Sequence, residues 1–137
     1  MTDAVVDASV AIKWYVREAD SETAHRILLA PVNLYAPALL RIELANGLWK
    51  HWRKKLTSIG QVGEAMASLE RTIGHWREPE ALMAAALKLS FALDHAVYDC
   101  IYLALAQELG APLVTADRRL LAIAPAGMAV ALESYKP

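Results

Sequence analysis

Short apolar runs alternate along this chain with longer stretches of helical periodicity, and that alternation constrains the fold more than any other feature. The strand candidates are Val5-Val6, Leu34-Tyr35-Ala36, Pro112-Leu113-Val114 and Met128 to Leu132, with Gly74-His75-Trp76 a further short strand or turn. Between them the pattern predicts helices over Ala8 to Tyr15, from Glu18–Glu22 to about Leu29, and over Pro37 to Trp52 and Ile59 to Ile73. Three more follow: Glu78 to Leu93, Val97 to Leu109 and Arg118 to Ala124. Pro37 and Pro79 suit first helical turns, and Gly110 suits the residue that closes a helix. No hairpin signal joins neighbouring strands, so the connections are helical and the sheet is mainly parallel. With 137 residues and a hydrophobic fraction of 56%, the chain makes one α/β domain over 1–137.

In an open parallel sheet the carboxyl ends of the strands face the crevice where ligands bind. Asp7 falls where the first strand stops, and the small polar Ser9 follows two positions later. Asp117 stands in the same relation to Leu113-Val114, after Thr115. Asp99 opens the helix Val97 to Leu109. Glu43 lies on the Pro37 helix beside the apolar stripe Leu40, Leu44, Gly47 and Leu48, about 40° from Gly47 and 60° from Leu40 at 3.6 residues per turn. Asn46 is one turn further on. Each acid also has a purely structural reading. Asp7 and Asp117 fit helix N-caps, Asp99 complements a helix dipole, and Glu43 fits a solvated boundary position. Their shared placement at strand ends and helix starts favours convergence on one sheet edge.

Convergence has an electrostatic consequence. Two carboxylates about 4 Å apart repel by roughly 4 kcal/mol at an effective dielectric of 20. Such a group either protonates or recruits a cation. All-oxygen ligands favour a hard ion, Mg²⁺ or Mn²⁺, over Zn²⁺. The histidines His25, His51, His75 and His95 have no metal-ligand spacing and read as surface or structural.

The formal net charge of −1 argues against nucleic-acid binding by bulk electrostatics and leaves a local basic patch open. The segment Lys50-His51-Trp52-Arg53-Lys54-Lys55 reads either as a helix end whose cations complement the dipole or as a phosphate-contacting patch with an aromatic for stacking. The candidate phosphate-backbone contacts are Lys13, Arg41, Arg53, Lys54, Arg118 and Arg119. The single cysteine, Cys100, lies in an apolar helical run and reads as core; it excludes an internal disulfide and fits a reducing cytoplasm. The longest nearly uncharged apolar run, Leu120 to Leu132, is broken by Pro125 and Gly127 and falls short of the roughly 20 residues that span a membrane. The first residues run straight into a strand, without a signal-peptide pattern.

Four segments together resemble the PIN-domain metal-dependent ribonucleases, and among them the VapC-type toxins of toxin–antitoxin pairs. The opening Val6-Asp7-Ala8-Ser9-Val10-Ala11-Ile12-Lys13-Trp14 is similar to the first family motif. Pro37 through Glu43, Asn46 and Leu48 is similar to the second. Tyr98-Asp99-Cys100-Ile101-Tyr102-Leu103-Ala104-Leu105-Ala106 and Thr115-Ala116-Asp117-Arg118-Arg119-Leu120 are similar to the third and fourth. The resemblance implies a three-layer α/β/α domain that cleaves RNA with one or two Mg²⁺ or Mn²⁺ ions, leaving a 5′-phosphate and a 3′-hydroxyl. It implies that Asp7, Glu43, Asp99 and Asp117 bind the metal, and that Ser9, Thr115 and Asn46 support them. It also implies an antitoxin partner, seated on apolar surfaces of the helices between Ala19 and Lys55, and a homodimer. One departure is Ala96, where the family often places a Ser or Thr cap before the helix of Asp99.

Other strand-end acid sites fit poorly. A haloacid-dehalogenase phosphatase needs a second acid where Ser9 stands, and a receiver domain needs a paired acid beside Asp7 and a lysine after the last strand. The remaining alternative is a non-catalytic module of the same fold that binds RNA or a protein.

Overall fold

A computed structural model describes all residues, Met1–Pro137. Five strands, β1 (Thr2–Val6), β2 (Val32–Pro37), β3 (His75–Arg77), β4 (Leu113–Thr115) and β5 (Ala129–Ala131), form one sheet in the order β3-β2-β1-β4-β5. Every pairing is parallel. The helices are α1 (Ala8–Ala11), α2 (Ser21–Leu29), α3 (Leu39–Arg53), α4 (Ile59–Thr72), α5 (Met83–Leu93), α6 (Val97–Leu109) and α7 (Arg118–Ile123), with 3₁₀ turns after α1, before α5 and after β5. No single helix is long and apolar enough to cross a membrane.

Chain order reverses in space at β1. From it β2 and β3 build outward on one side, and β4 and β5 on the other. Ligand crevices in doubly wound sheets open at this kind of switch point, outside the strands' carboxyl ends. Val5 pairs with Tyr35 on one side and Leu113 on the other, and Val6 pairs with Val114. That register sets Asp7, one residue past β1, beside Thr115, the last residue of β4.

The core explains the placement. Ala4, Val5 and Val6 of β1 and Leu113 and Val114 of β4 are fully buried, as central strands covered on both faces must be. α6 packs across β1, β2 and β4 with α5 against it, and Cys100 to Ala106 are all buried there. α1, α3 and α4 form another packed group, with α3 on β2 and α1 on β4. On α3 the spacing Leu40, Leu44 and Leu48 buries one face. At Gly47 a Cβ would stand 2.7 Å from Ile12 Cδ1, so the helix can lie this close to the turn after α1 only with a small residue there.

Several boundaries depart from the sequence expectations. Strand β2 extends over Val32–Pro37, and Pro37 pairs with Arg77 instead of opening α3. The proline suits this strand end because β2 needs no ladder donor from it. The segment from Ala8 to Tyr15 is one α-helical turn continued as a 3₁₀ turn. The helix expected from Glu78 begins as a 3₁₀ turn at Pro79 and becomes α-helical at Met83. Gly110 closes α6 at φ 62°, the left-handed conformation glycine takes freely. Cys100 is a buried free thiol, and burial raises its pKa.

Leu103 is fully buried at the centre of α6. Leu103→Ala is expected to lower unfolding free energy by about 2–5 kcal/mol through lost burial plus a cavity. Urea denaturation with an unchanged slope measures this.

Candidate active site

Asp7 is built into the end of β1 by four hydrogen bonds. Its Oδ1 accepts from the backbone N–H of Ser9 (3.1 Å) and of Val10 (3.3 Å) and from the Ser9 hydroxyl (2.5 Å). Its Oδ2 accepts from the Thr115 hydroxyl (2.5 Å). Both hydroxyls thus spend their proton on Asp7, and their lone pairs take up the other loop: Ala116 N–H donates to Ser9 Oγ at 2.9 Å, and Asp117 N–H to Thr115 Oγ1 at 3.0 Å. Ser9 and Thr115 therefore stitch the β1–α1 turn to the β4–α7 turn through one carboxylate.

Asp7 is only 6% exposed, and no Lys or Arg pairs with it. Burial pushes its pKa up to about 6, against the opposing hydrogen bonds of Ser9, Thr115 and Val10, and the charge of Asp99 pushes the same way. Asp99, in the first turn of α6, also acts on Glu43. Burial raises the Glu43 pKa, a hydrogen bond from Tyr102 works against it, and Asp99 adds to the rise. The charge of Asp99 on α6 thus reaches both Asp7, at the end of β1, and Glu43 on α3.

Two partners of these acids are invisible to a motif reading. The Tyr102 hydroxyl donates to Glu43 Oε1 at 2.5 Å, across from α6 to α3. Tyr102 is 1% exposed, and burial and the neighbouring acids hold its phenol well above its ordinary pKa. His95 Nε2 lies 2.6 Å from Asp99 Oδ2. The signal for His95 was its i,i+4 spacing to Asp99; Tyr102 could be found only from the packing of α6 against the sheet.

Asp117 is placed differently. Its Oδ1 accepts from Arg119 N–H at 2.9 Å and from Leu120 N–H at 3.3 Å, so it caps α7. It follows Thr115 by two residues at the same sheet edge, and its charge is not among those acting on Asp7 or Glu43. Asn46 is exposed on α3.

The donor set fits a hard divalent ion in chemistry. Three of the four acids have an oxygen with no protein donor, Glu43 Oε2, Asp99 Oδ1 and Asp117 Oδ2, while Asp7 Oδ2 accepts only from the Thr115 hydroxyl. No cationic side chain competes, apart from His95 if protonated. The side chains do not form a closed cage, since no three His, Cys, Asp or Glu residues stand in ligating geometry.

The cation candidates divide. Lys13 is buried, with Nζ 2.8 Å from both Glu18 and Asp20, and is corrected from an RNA contact to an internal ion pair holding the α1–α2 connection. The Arg41 guanidinium is likewise committed, bidentate to Glu70 at 2.7 and 2.8 Å and lying 3.8 Å over the Trp76 ring. Arg53, Lys54, Arg118 and Arg119 are exposed. A surface depression of about 710 Å³ lies along Lys13 to Glu22 and contains none of the acids.

The family profile described as "PIN domain" matches residues 4–125. Ribonuclease VapC3 of Pyrobaculum aerophilum is 38% identical over 130 residues, covering 89% of this chain and 95% of that protein. Ribonuclease VapC3 of Mycobacterium tuberculosis is 29% identical over 126 residues, covering 92% and 90%. Among solved structures, PAE2754 from Pyrobaculum aerophilum superposes with TM-score 0.74 at 23% identity over 98% of this chain and 94% of that one. A toxin–antitoxin complex from Klebsiella pneumoniae gives TM-score 0.71 at 18% identity over 98% and 99%. At those identities the structural likeness speaks for the fold alone.

The Asp7 shift has a definite sign. A folded-state pKa of about 6 against an unfolded value of 3.8 means that Asp7 favours folding below pH 3.8 and that this contribution is lost as pH rises through 6. In chelator, wild type is expected to lose about 2.4 kcal/mol relative to Asp7→Asn between pH 4 and pH 7. Parallel urea titrations of the two proteins measure the difference.

Proposed function

This chain belongs to the PIN-domain family, and from that premise we propose how it acts: it is a VapC-type endoribonuclease, the toxin of a toxin–antitoxin pair, whose site is the carboxylate cluster around Asp7. The carrying observation is the buried, cation-free Asp7 at the sheet's switch point, with the charge of Asp99 acting on both it and Glu43, in a chain 38% identical to a named ribonuclease.

Asp7, Glu43, Asp99 and Asp117 are the residues that would hold a divalent ion, Mg²⁺ or Mn²⁺. When bound, the ion supplies a Lewis acid for the scissile phosphate and lowers the pKa of a bound water. Ser9 and Thr115 fix the rotamer of Asp7 by donating to its two oxygens. Tyr102 pins one oxygen of Glu43, so the other is aimed at the attacking water, and the raised pKa suits Glu43 to accept that water's proton. His95 orients Asp99 in the same manner. Water adds to phosphorus as the P–O3′ bond breaks, leaving a 5′-phosphate and a 3′-hydroxyl. Asn46, exposed one turn from Glu43, is placed to touch the RNA. The non-catalytic alternative is disfavoured because a binding module has no use for a buried carboxylate that costs stability when ionised.

An antitoxin protein is the expected partner. Its seat is proposed on the exposed apolar residues of α2 and α3, Leu28, Leu29, Ile42, Trp49 and Trp52. A second copy of the chain is proposed to cover Met83, Leu87 and Phe91, exposed at i, i+4 and i+8 on α5. A cytoplasmic location fits the free thiol of Cys100.

Mg²⁺ or Mn²⁺ at 100 times its dissociation constant is expected to stabilise wild type by about 2.7 kcal/mol through mass action. Asp7→Asn is expected to lose that response together with RNA cleavage while staying folded. Thr115→Val is expected to weaken metal binding about 10–100-fold. Thermal melting with and without each ion, beside cleavage of labelled RNA, checks all three. Cleavage retained by Asp7→Asn contradicts the assignment.

A further inference from the structure

Four of the chain's 14 Lys and Arg residues fall within Lys50 to Lys55, in a protein whose net charge is −1. None of the four takes part in an ion pair, whereas Lys13, Arg26, Arg41 and Arg77 all do. Lys50, Arg53 and Lys54 together line a shallow depression of about 280 Å³. Arg53 is further oriented by Trp49, whose ring centroid lies 5.2 Å from the guanidinium carbon.

Helix geometry ties this cluster to the carboxylates. Counted from Glu43 on α3, Lys50 lies about 20° to one side and Lys54 about 20° to the other, roughly 10 and 16 Å along the axis. Arg53 flanks them at about 80°. One face of α3 thus carries Glu43 at its inner end and free cations at its outer end.

A structural role does not account for the cluster. Dipole complementation acts within the last turn and needs one cation. Lys50 and Lys54, at i,i+4, repel each other. Lys55 adopts φ 61°, a conformation that glycine takes freely and lysine takes under strain. The chain keeps a like-charged group at the cost of helix stability.

We propose that the face of α3 bearing Lys50, Arg53 and Lys54 is a phosphate track that leads single-stranded RNA to the carboxylates around Glu43. Its charge complements a polyanion, and its line from Glu43 matches a strand already engaged at the site. This rests on the ribonuclease reading above and adds where the substrate runs. It places substrate contacts on Lys50, Arg53 and Lys54 and none on Lys13 or Arg41, which are held in ion pairs.

The test uses the Asp7→Asn protein, so that RNA is bound and not cut. Binding of a fluorescein-labelled, mixed-sequence single-stranded RNA is followed by anisotropy across a NaCl series. Adding Lys50→Gln, Arg53→Gln and Lys54→Gln together is expected to weaken binding at least tenfold at 0.15 M salt and to flatten the log Kd against log salt slope by about 2, at roughly 0.7 per phosphate contact. Lys50→Arg with Lys54→Arg is expected to preserve both. Arg71→Gln, Lys88→Gln and Lys136→Gln, exposed cations elsewhere, remove the same charge and are expected to leave the slope unchanged. Melting temperatures confirm that each variant folds. An unchanged slope in the first triple variant, while the wild-type chain still cleaves RNA, overturns the track and leaves the ribonuclease reading standing. A wild-type chain that neither binds nor cleaves RNA overturns both. Tighter binding of poly-glutamate than of RNA, lost on the same substitutions, assigns the face to an acidic protein and also overturns the track.

Discussion

A carboxylate buried without a cation is the constraint on which the rest of this structure depends. Asp7 is held at the carboxyl end of β1 by two backbone N–H groups and two hydroxyls, which suit its ionised form, while burial and the charge of Asp99 oppose that form. The opposition is resolved in favour of a pKa near 6, so the protein carries an ionised, unneutralised acid at neutral pH. A fold tolerates such a cost where the same charge is used for something else.

The topology explains why the cost concentrates here. Chain order reverses at β1, so the turns after β1 and β4 lie side by side, and a Tyr102–Glu43 hydrogen bond joins α6 to α3. Ser9 and Thr115 convert this juxtaposition into one rigid unit by donating to Asp7 and accepting from the opposite loop. Tyr102 does the same between α6 and α3 through Glu43. Glu43 Oε2, Asp99 Oδ1 and Asp117 Oδ2 are left without a protein donor.

Much of this was legible in the sequence, and the reasons are local. Val5-Val6-Asp7 and Leu113-Val114-Thr115 combine β-branched or apolar runs with a polar stop, which marks strand ends without tertiary information. Gly110 marked the end of α6 because only its backbone fits a positive φ cheaply. The site beyond the acids was less legible. Tyr102 and Glu43 meet across 59 residues of sequence, and nothing in either local pattern announces the pair. Lys13 read as a free cation because Glu18 and Asp20 reach it only once the chain turns after α1. Pro37 read as a helix start because its pairing with Arg77 depends on β3, a three-residue edge strand with weak periodicity. The cap reading of Asp117 holds, since its Oδ1 accepts from the first turn of α7, and its Oδ2 has no protein donor.

The central claim is that a divalent ion belongs among these acids, and diffraction at the manganese edge addresses it most directly. Crystals of the wild-type chain equilibrated with Mn²⁺ are expected to show an anomalous peak in the crevice, bounded by Asp7 Oδ2, Glu43 and Asp99. A peak elsewhere, or none at saturating Mn²⁺, would contradict the account.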